Sequence, residues 1–200
     1  MSYIGNLPRT QKGGRVAIAT VEANGDSSID FIEGTDGVVM DSTYTHYEWR
    51  FVNIHAATNS TFFGFQFNAA GGSGFNETLM TSHFKAEHNA AGAGAALNYT
   101  GAHDLAQATT FQKLGYDVEN EADDNLSGVL TLYNPSSTTY SKNFIATVNY
   151  NHHSSKYTQN VYITGYVNTT SAIDEIQFKM DSGNIDDGVI TMYGIKNDVS

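Results

Sequence analysis

Apolar and polar residues alternate with a period of two through most of the chain, and stripes with helical spacing are nearly absent. Val16-Ala17-Ile18-Ala19-Thr20-Val21 predicts a first short strand, and Ile29-Asp30-Phe31-Ile32 a second after a turn at Asn24-Gly25-Asp26. Val38-Val39-Met40 is a further apolar run between two turns. A longer strand is predicted where Tyr47, Trp49 and Phe51 alternate with Glu48, Arg50 and Val52 up to Ile54-His55. Its aromatic face, Trp49 included, reads as core. Phe63, Phe65 and Phe67 alternate with Gly64 and Gln66 in the next strand, and pairing with its predecessor would set aromatics against aromatics.

Residues 79–84 predict a weaker strand, after which the pattern fades. From 86 to 106 the chain is rich in Ala, Gly, Asn and His and keeps neither period, so the expectation is a loop. A loop of that length inside one domain is uncommon and usually functional. Alternation returns over 108–114 and then over 127–133, 144–150, 161–167, 176–180 and 189–195. Asn134-Pro135-Ser136-Ser137 predicts a turn that joins 127–133 and 144–150 into a hairpin. Many short strands at such spacing predict an all-β sandwich or barrel. No repeat or linker divides the chain, so the reading is one domain over residues 14–200 behind a leader, residues 1–13, that lacks periodicity and carries Pro8.

Composition narrows the function classes. Charged residues are only 16% of the 200, and 10 Lys and Arg against 21 Asp and Glu leave a net charge of −11. Such a field repels phosphate backbones, so nucleic acid is not an expected partner. Without cysteine there are no disulfides, thiolate metal sites or Cys nucleophile. No apolar run approaches the ~20 residues of a membrane helix, and no secretion-signal pattern is recognised, so membrane insertion is not expected.

The candidate chemistry is thin. Among the seven histidines no pair has the i, i+2 spacing that aims two imidazoles from one strand face; His152 and His153 point to opposite faces if extended. His83, His88 and His103 could meet only through the tertiary fold, and the expectation is no metal site. The stretch from Asp117 through Glu119, Glu121, Asp123 and Asp124 to Asn125 has the oxygen density of a calcium loop but lacks the turn glycine and closing glutamate of an EF-hand, so a solvated loop is expected. No nucleophile elbow, phosphate loop or zinc-protease helix is present. The reading is therefore not an enzyme, with no catalytic residue and no cofactor. Asn59, Asn76, Asn98, Asn125 and Asn168 head sequons that an Asn/Ser/Thr-rich chain makes by chance. Tyr99, Tyr140 and Tyr157, with Trp49, are the candidates for a sugar-stacking platform.

The two ends carry a resemblance. Met1-Ser2-Tyr3-Ile4-Gly5-Asn6 with Pro8 resembles the opening of virion structural proteins, chiefly tail-fibre and appendage proteins, of tailed phages of marine and other aquatic bacteria. Ser182-Gly183-Asn184-Ile185-Asp186-Asp187-Gly188-Val189-Ile190-Thr191-Met192-Tyr193-Gly194-Ile195 is similar to the ending of jelly-roll modules in such proteins. The resemblance covers about a tenth of the chain. It implies an antiparallel β-sandwich of jelly-roll type, a homotrimer located on the virion, docking to other virion proteins through residues 1–13, and contact between the 86–106 loop and a host-surface glycan or protein. It names no receptor-binding residue. Capsid decoration or cement protein is the alternative within the virion; a carbohydrate-binding module and a small polysaccharide hydrolase are the alternatives outside it. On physical grounds the last two strand segments read as a closing hairpin, with Gly194 permitting a bulge or a close backbone approach.

Overall fold

In the computed structural model, residues 14–152 and 157–196 are described. The leader over residues 1–13 lies outside them, as does His153. All regular structure among the described residues is β, and no helix there is long and apolar enough to cross a membrane.

Among the described residues thirteen strands follow in chain order: β1 Arg15–Glu22, β2 Ile29–Ile32, β3 His46–Ala56, β4 Thr61–Ala69, β5 Leu79–Asn89, β6 Ala96–Tyr99, β7 Ala106–Ala108, β8 Gln112–Val118, β9 Leu126–Tyr133, β10 Lys142–His152, β11 Tyr157–Val167, β12 Ile173–Met180 and β13 Ile185–Ile195. The larger sheet runs β1-β13-β3-β9-β10-β11-β5-β6, with β7 also on β5; the smaller runs β2-β12-β4-β8. Every pairing is antiparallel. Eight of the strands pair as nested partners, β4 with β8, β3 with β9, β2 with β12 and β1 with β13, alternately in one sheet and the other. This is the winding of a jelly roll. Two excursions widen one sheet: the β10–β11 pair, and β5 to β7, which β11 recruits along eleven registered residues.

The core lies between the sheets because each strand's apolar set occupies one face. From the larger sheet come Tyr47, Trp49, Phe51, Leu130, Phe144 and Met192, and from the smaller Phe31, Phe63, Phe65, Phe67, Ile176 and Phe178, all essentially inaccessible. Phe178 is the hub: its ring centroid lies 5.2 to 6.4 Å from those of Phe31, Trp49, Phe51, Phe63 and Phe65.

Three sequence expectations are corrected. The aromatic strands β3 and β4 do not pair; they face each other across the sandwich, with Phe51 and Phe63 in edge contact at 5.5 Å. Complementary aromatic faces can meet within one sheet or between two, and sequence alone does not distinguish these. Likewise β12 and β13 form no closing hairpin: after β12 the chain crosses at 181–184 to the other sheet, where β13 pairs with β1 and β3. The segment 108–114 is also split, since β7 ends in the larger sheet and β8 begins in the smaller. The run Val38 to Met40 makes no strand, yet Val38 and Met40 are buried as plugs, with the Met40 amide donating to the Glu33 carboxylate. The β9–β10 hairpin forms as expected, with Leu132 opposite Phe144 and a Ser137 N–H to Asn134 carbonyl bond in its turn.

Two glycines of the C-terminal motif are required by geometry. Gly188 has φ +117° at a bulge between β13 and β3, and a Cβ there would stand 2.6 Å from the Asn53 carbonyl oxygen. Gly194 is where the Tyr44 ring lies flat on the sheet: a Cβ would meet its ring carbons at 2.4 Å. Tyr44 is held there by Tyr47, edge-on at 5.7 Å. Gly194→Ala should therefore cost about 1–3 kcal/mol as overpacking. Urea unfolding should show that Tyr44→Ala in the same chain recovers part of the loss; strictly additive effects would mean the ring is not what the glycine accommodates.

Candidate functional site

Strand alternation that seals one face of the larger sheet turns the other outward. On its β6-β5-β11 end this outer face is aromatic. Phe84 of β5 is in register with Tyr99 of β6 on one side and with Tyr162 of β11 on the other. Phe84 and Tyr162 are stacked at 5.0 Å and 12°, and Phe84, Tyr162 and Tyr99 are 38%, 37% and 62% exposed. Four residues along the strands, Met80 pairs with Tyr166. At ~3.3 Å per residue and ~4.8 Å between strands, the surface extends roughly 13 Å by 10 Å. Its hydroxyls are held in place. Tyr99 donates to Asp104 Oδ2 at 2.5 Å, a bond that raises the phenol's pKa, and Asn160 donates to the Tyr162 oxygen at 2.6 Å. Flat apolar faces ringed by hydrogen-bonding groups suit the C–H faces and hydroxyls of a sugar.

This surface differs from the sequence candidates. Trp49 is in the core and fully buried. Tyr140 precedes β10 and Tyr157 opens β11, at opposite ends of that hairpin and so roughly 30 Å apart. Of the four only Tyr99 joins the platform. Phe84 and Tyr162 were not singled out in sequence, although a signal exists: Met80, Phe84, Tyr162 and Tyr166 occupy the positions opposite to the buried Leu79, Val161, Ile163 and Val167. Both faces of β11 are apolar there, whereas the inward face of β5 beside Phe84 carries Thr81 and His83.

The expected 86–106 loop is in part strand. β5 continues to Asn89, the chain turns through Gly92, and β6 returns to Tyr99. The period was hidden because these residues form an edge with no buried side, where backbone bonds carry the pairing. Residues 90–95 turn between β5 and β6, and residues 100–105 form an irregular strap tucked under the sheet edge. The Thr100 amide donates to the His83 carbonyl at 2.8 Å, the Thr81 amide to the Leu105 carbonyl at 2.8 Å, and the Gln112 side chain to the His103 carbonyl at 3.0 Å.

The strap brings His103 edge-on to His83 at 5.1 Å, while the exposed His88 stays apart. Both Nδ1 atoms of this pair are buried without a hydrogen-bond partner among the described residues. Burial above all lowers both pKa values to about 4, with His103 adding to the effect on His83, and Lys113 and Lys85 to that on His103. Among the described residues no three His, Cys, Asp or Glu converge as a metal-binding group.

The acidic stretch packs against Asp186 and Asp187 around a cleft of about 460 Å³. Two of its side chains serve the fold, Glu119 accepting from the Ser60 amide at 3.1 Å and Asp124 from the Asn151 side chain, and across the cleft His55 lies 3.4 Å from Asp186. A second cleft of about 460 Å³ opens beneath the strap on the outer side of the smaller sheet, between Phe62, Phe111, Lys113 and Lys179.

The described chain is thus an antiparallel β-sandwich with jelly-roll winding and an aromatic outer surface on the wider sheet. Comparison with known protein families, curated proteins and solved structures finds no match to it.

Proposed function

We propose that this chain is a structural protein of a tailed-phage virion, of the tail-fibre or appendage type, whose jelly-roll domain attaches the particle to a host-surface glycan. The observation that carries the attachment role is the exposed Tyr99-Phe84-Tyr162 row across three paired strands, with Phe84 and Tyr162 stacked. Sites on strands hold their geometry better than sites on loops, and flat aromatic anchors lose little side-chain entropy on binding. The virion assignment is supported by the resemblance at the two ends, and in this reading residues 1–13 engage another virion component and the chain works as a homotrimer.

Two measurements test the proposal. Gold-labelled antibody against the chain should decorate the tail or its fibres; label spread over the capsid would instead make it a decoration protein, and unlabelled particles would remove the virion role. On an array of bacterial surface polysaccharides the purified chain should retain a glycan that Phe84→Ala/Tyr162→Ala loses by at least about tenfold, as for central aromatic anchors. Equal retention by the variant would move the contact elsewhere.

A further inference from the structure

Two of the chain's ten Lys and Arg side chains meet in the cleft beneath the strap. Lys179, on β12, holds its ammonium 4.4 Å from the centre of the Phe111 ring. Lys113, on β8, holds its own 5.3 Å from that of Phe62 and 5.1 Å from that of Tyr116. Half-buried cations above ring faces are positioned and partly desolvated, unlike lysines extended into water. Asp104 and Asp181 line the same cleft, yet neither lysine lies within 4 Å of a carboxylate among the described residues. On a chain of net charge −11, two cations concentrated in one concavity with no ion pair mark a place where an anion is stabilised locally.

The other lining groups restrict what that anion carries. A simple inorganic anion would meet two ammonium groups but also two carboxylates, which repel it. A ligand that bears hydroxyl donors beside its negative charge satisfies both: hydroxyls donate to Asp104 and Asp181 while the charge lies between the lysines. Phe62, Phe111 and Leu105 supply apolar contact for a ring body, and the volume falls within the roughly 300–1,000 Å³ of small-ligand sites. We infer that the cleft between Lys113 and Lys179 binds a carboxylated sugar, of the uronic-acid class, as an acidic unit of a polysaccharide. This rests on the glycan reading of the attachment surface and adds a second subsite to it. The two adjoin, because Asp104, which lines the cleft, accepts the Tyr99 hydroxyl of the platform.

The full chain, labelled with ¹⁵N, would be titrated with trigalacturonate, with neutral galactotriose and with inorganic phosphate. Trigalacturonate should shift the amides around Lys113, Lys179 and Phe111, and bind at least about tenfold more tightly than either of the others. Lys113→Gln/Lys179→Gln, shown by circular dichroism to melt as the parent does, should lose that preference, and 0.5 M NaCl should weaken the parent's binding. Phe84→Ala/Tyr162→Ala should keep the shifts at the cleft, which separates failure of the cleft from failure of the platform. Absence of binding at millimolar trigalacturonate, an unchanged affinity in the double lysine variant, or phosphate binding equally well would each overturn the assignment.

Discussion

Phe178→Ala is expected to destabilise the fold by about 3–5 kcal/mol, the usual cost of truncating a fully buried phenylalanine. At about 2–4 °C per kcal/mol for a domain of this size, that is a fall in melting temperature of roughly 6–20 °C. The size follows from position. Phe178 is inaccessible, and its ring meets five others drawn from β2, β3 and β4, so the hole would open where both sheets contribute rather than at an edge that could close over it. Phe178→Leu fills much of the same volume and should cost less than half as much. Thermal melts of the three proteins settle the point; a Phe178→Ala chain within 3 °C of the parent would mean that this cluster is not the centre of the core.

Acid is the second large effect. In the unfolded chain His83 and His103 titrate near 6.5, and in the folded chain near 4, because burial disfavours their charged forms. Between those values the unfolded state binds more protons, so stability is full above pH 6.5, declines as pH falls and has lost the whole contribution below about pH 4. For His83, almost completely buried, the difference corresponds to about 3 kcal/mol. His103 adds to it, not independently, since each charged ring would face the other. Urea midpoints measured from pH 7 to pH 4.5 should fall steeply in the parent and much less in His83→Gln/His103→Gln. An identical pH slope in the two would assign the acid sensitivity to carboxylates. Because His103 sits on the strap beside Asp104, the loss should begin there, and exchange of the 100–105 amides should accelerate before that of the core strands.

Much of the architecture was legible because strand alternation writes burial directly into the sequence. Tyr47, Trp49 and Phe51 face inward as their spacing requires, and so do Phe144, Ala146 and Val148. What failed were places where the partner lay far away. Gln66 and Asn68 alternate with phenylalanines as solvent-facing residues should, yet both are buried, since segments near Glu77 and Thr109 cover that face of the smaller sheet. The Gln66 amide then donates to the carbonyls of Glu77, Thr109 and Thr110 at 3.0 to 3.1 Å. Lys142 looks like a charged strand opening but is wholly inaccessible, its ammonium bound to the carbonyls of Thr169 and Ser171. The platform was missed for the opposite reason: Phe84 and Tyr162 look like core by type, and only the assembled sheet turns them outward together.

The sequence by itself determined the element type, the inward face of most strands and the turn at Pro135, because these depend on neighbours one to four residues away. Tertiary structure alone decided which sheet each strand joins, that β5 pairs with β11, that two histidines share a buried contact, and that Lys113 and Lys179 line one cleft over aromatic rings. Those outcomes depend on pairing residues far apart in the chain, where several arrangements bury similar apolar area and only the complete set of contacts selects one.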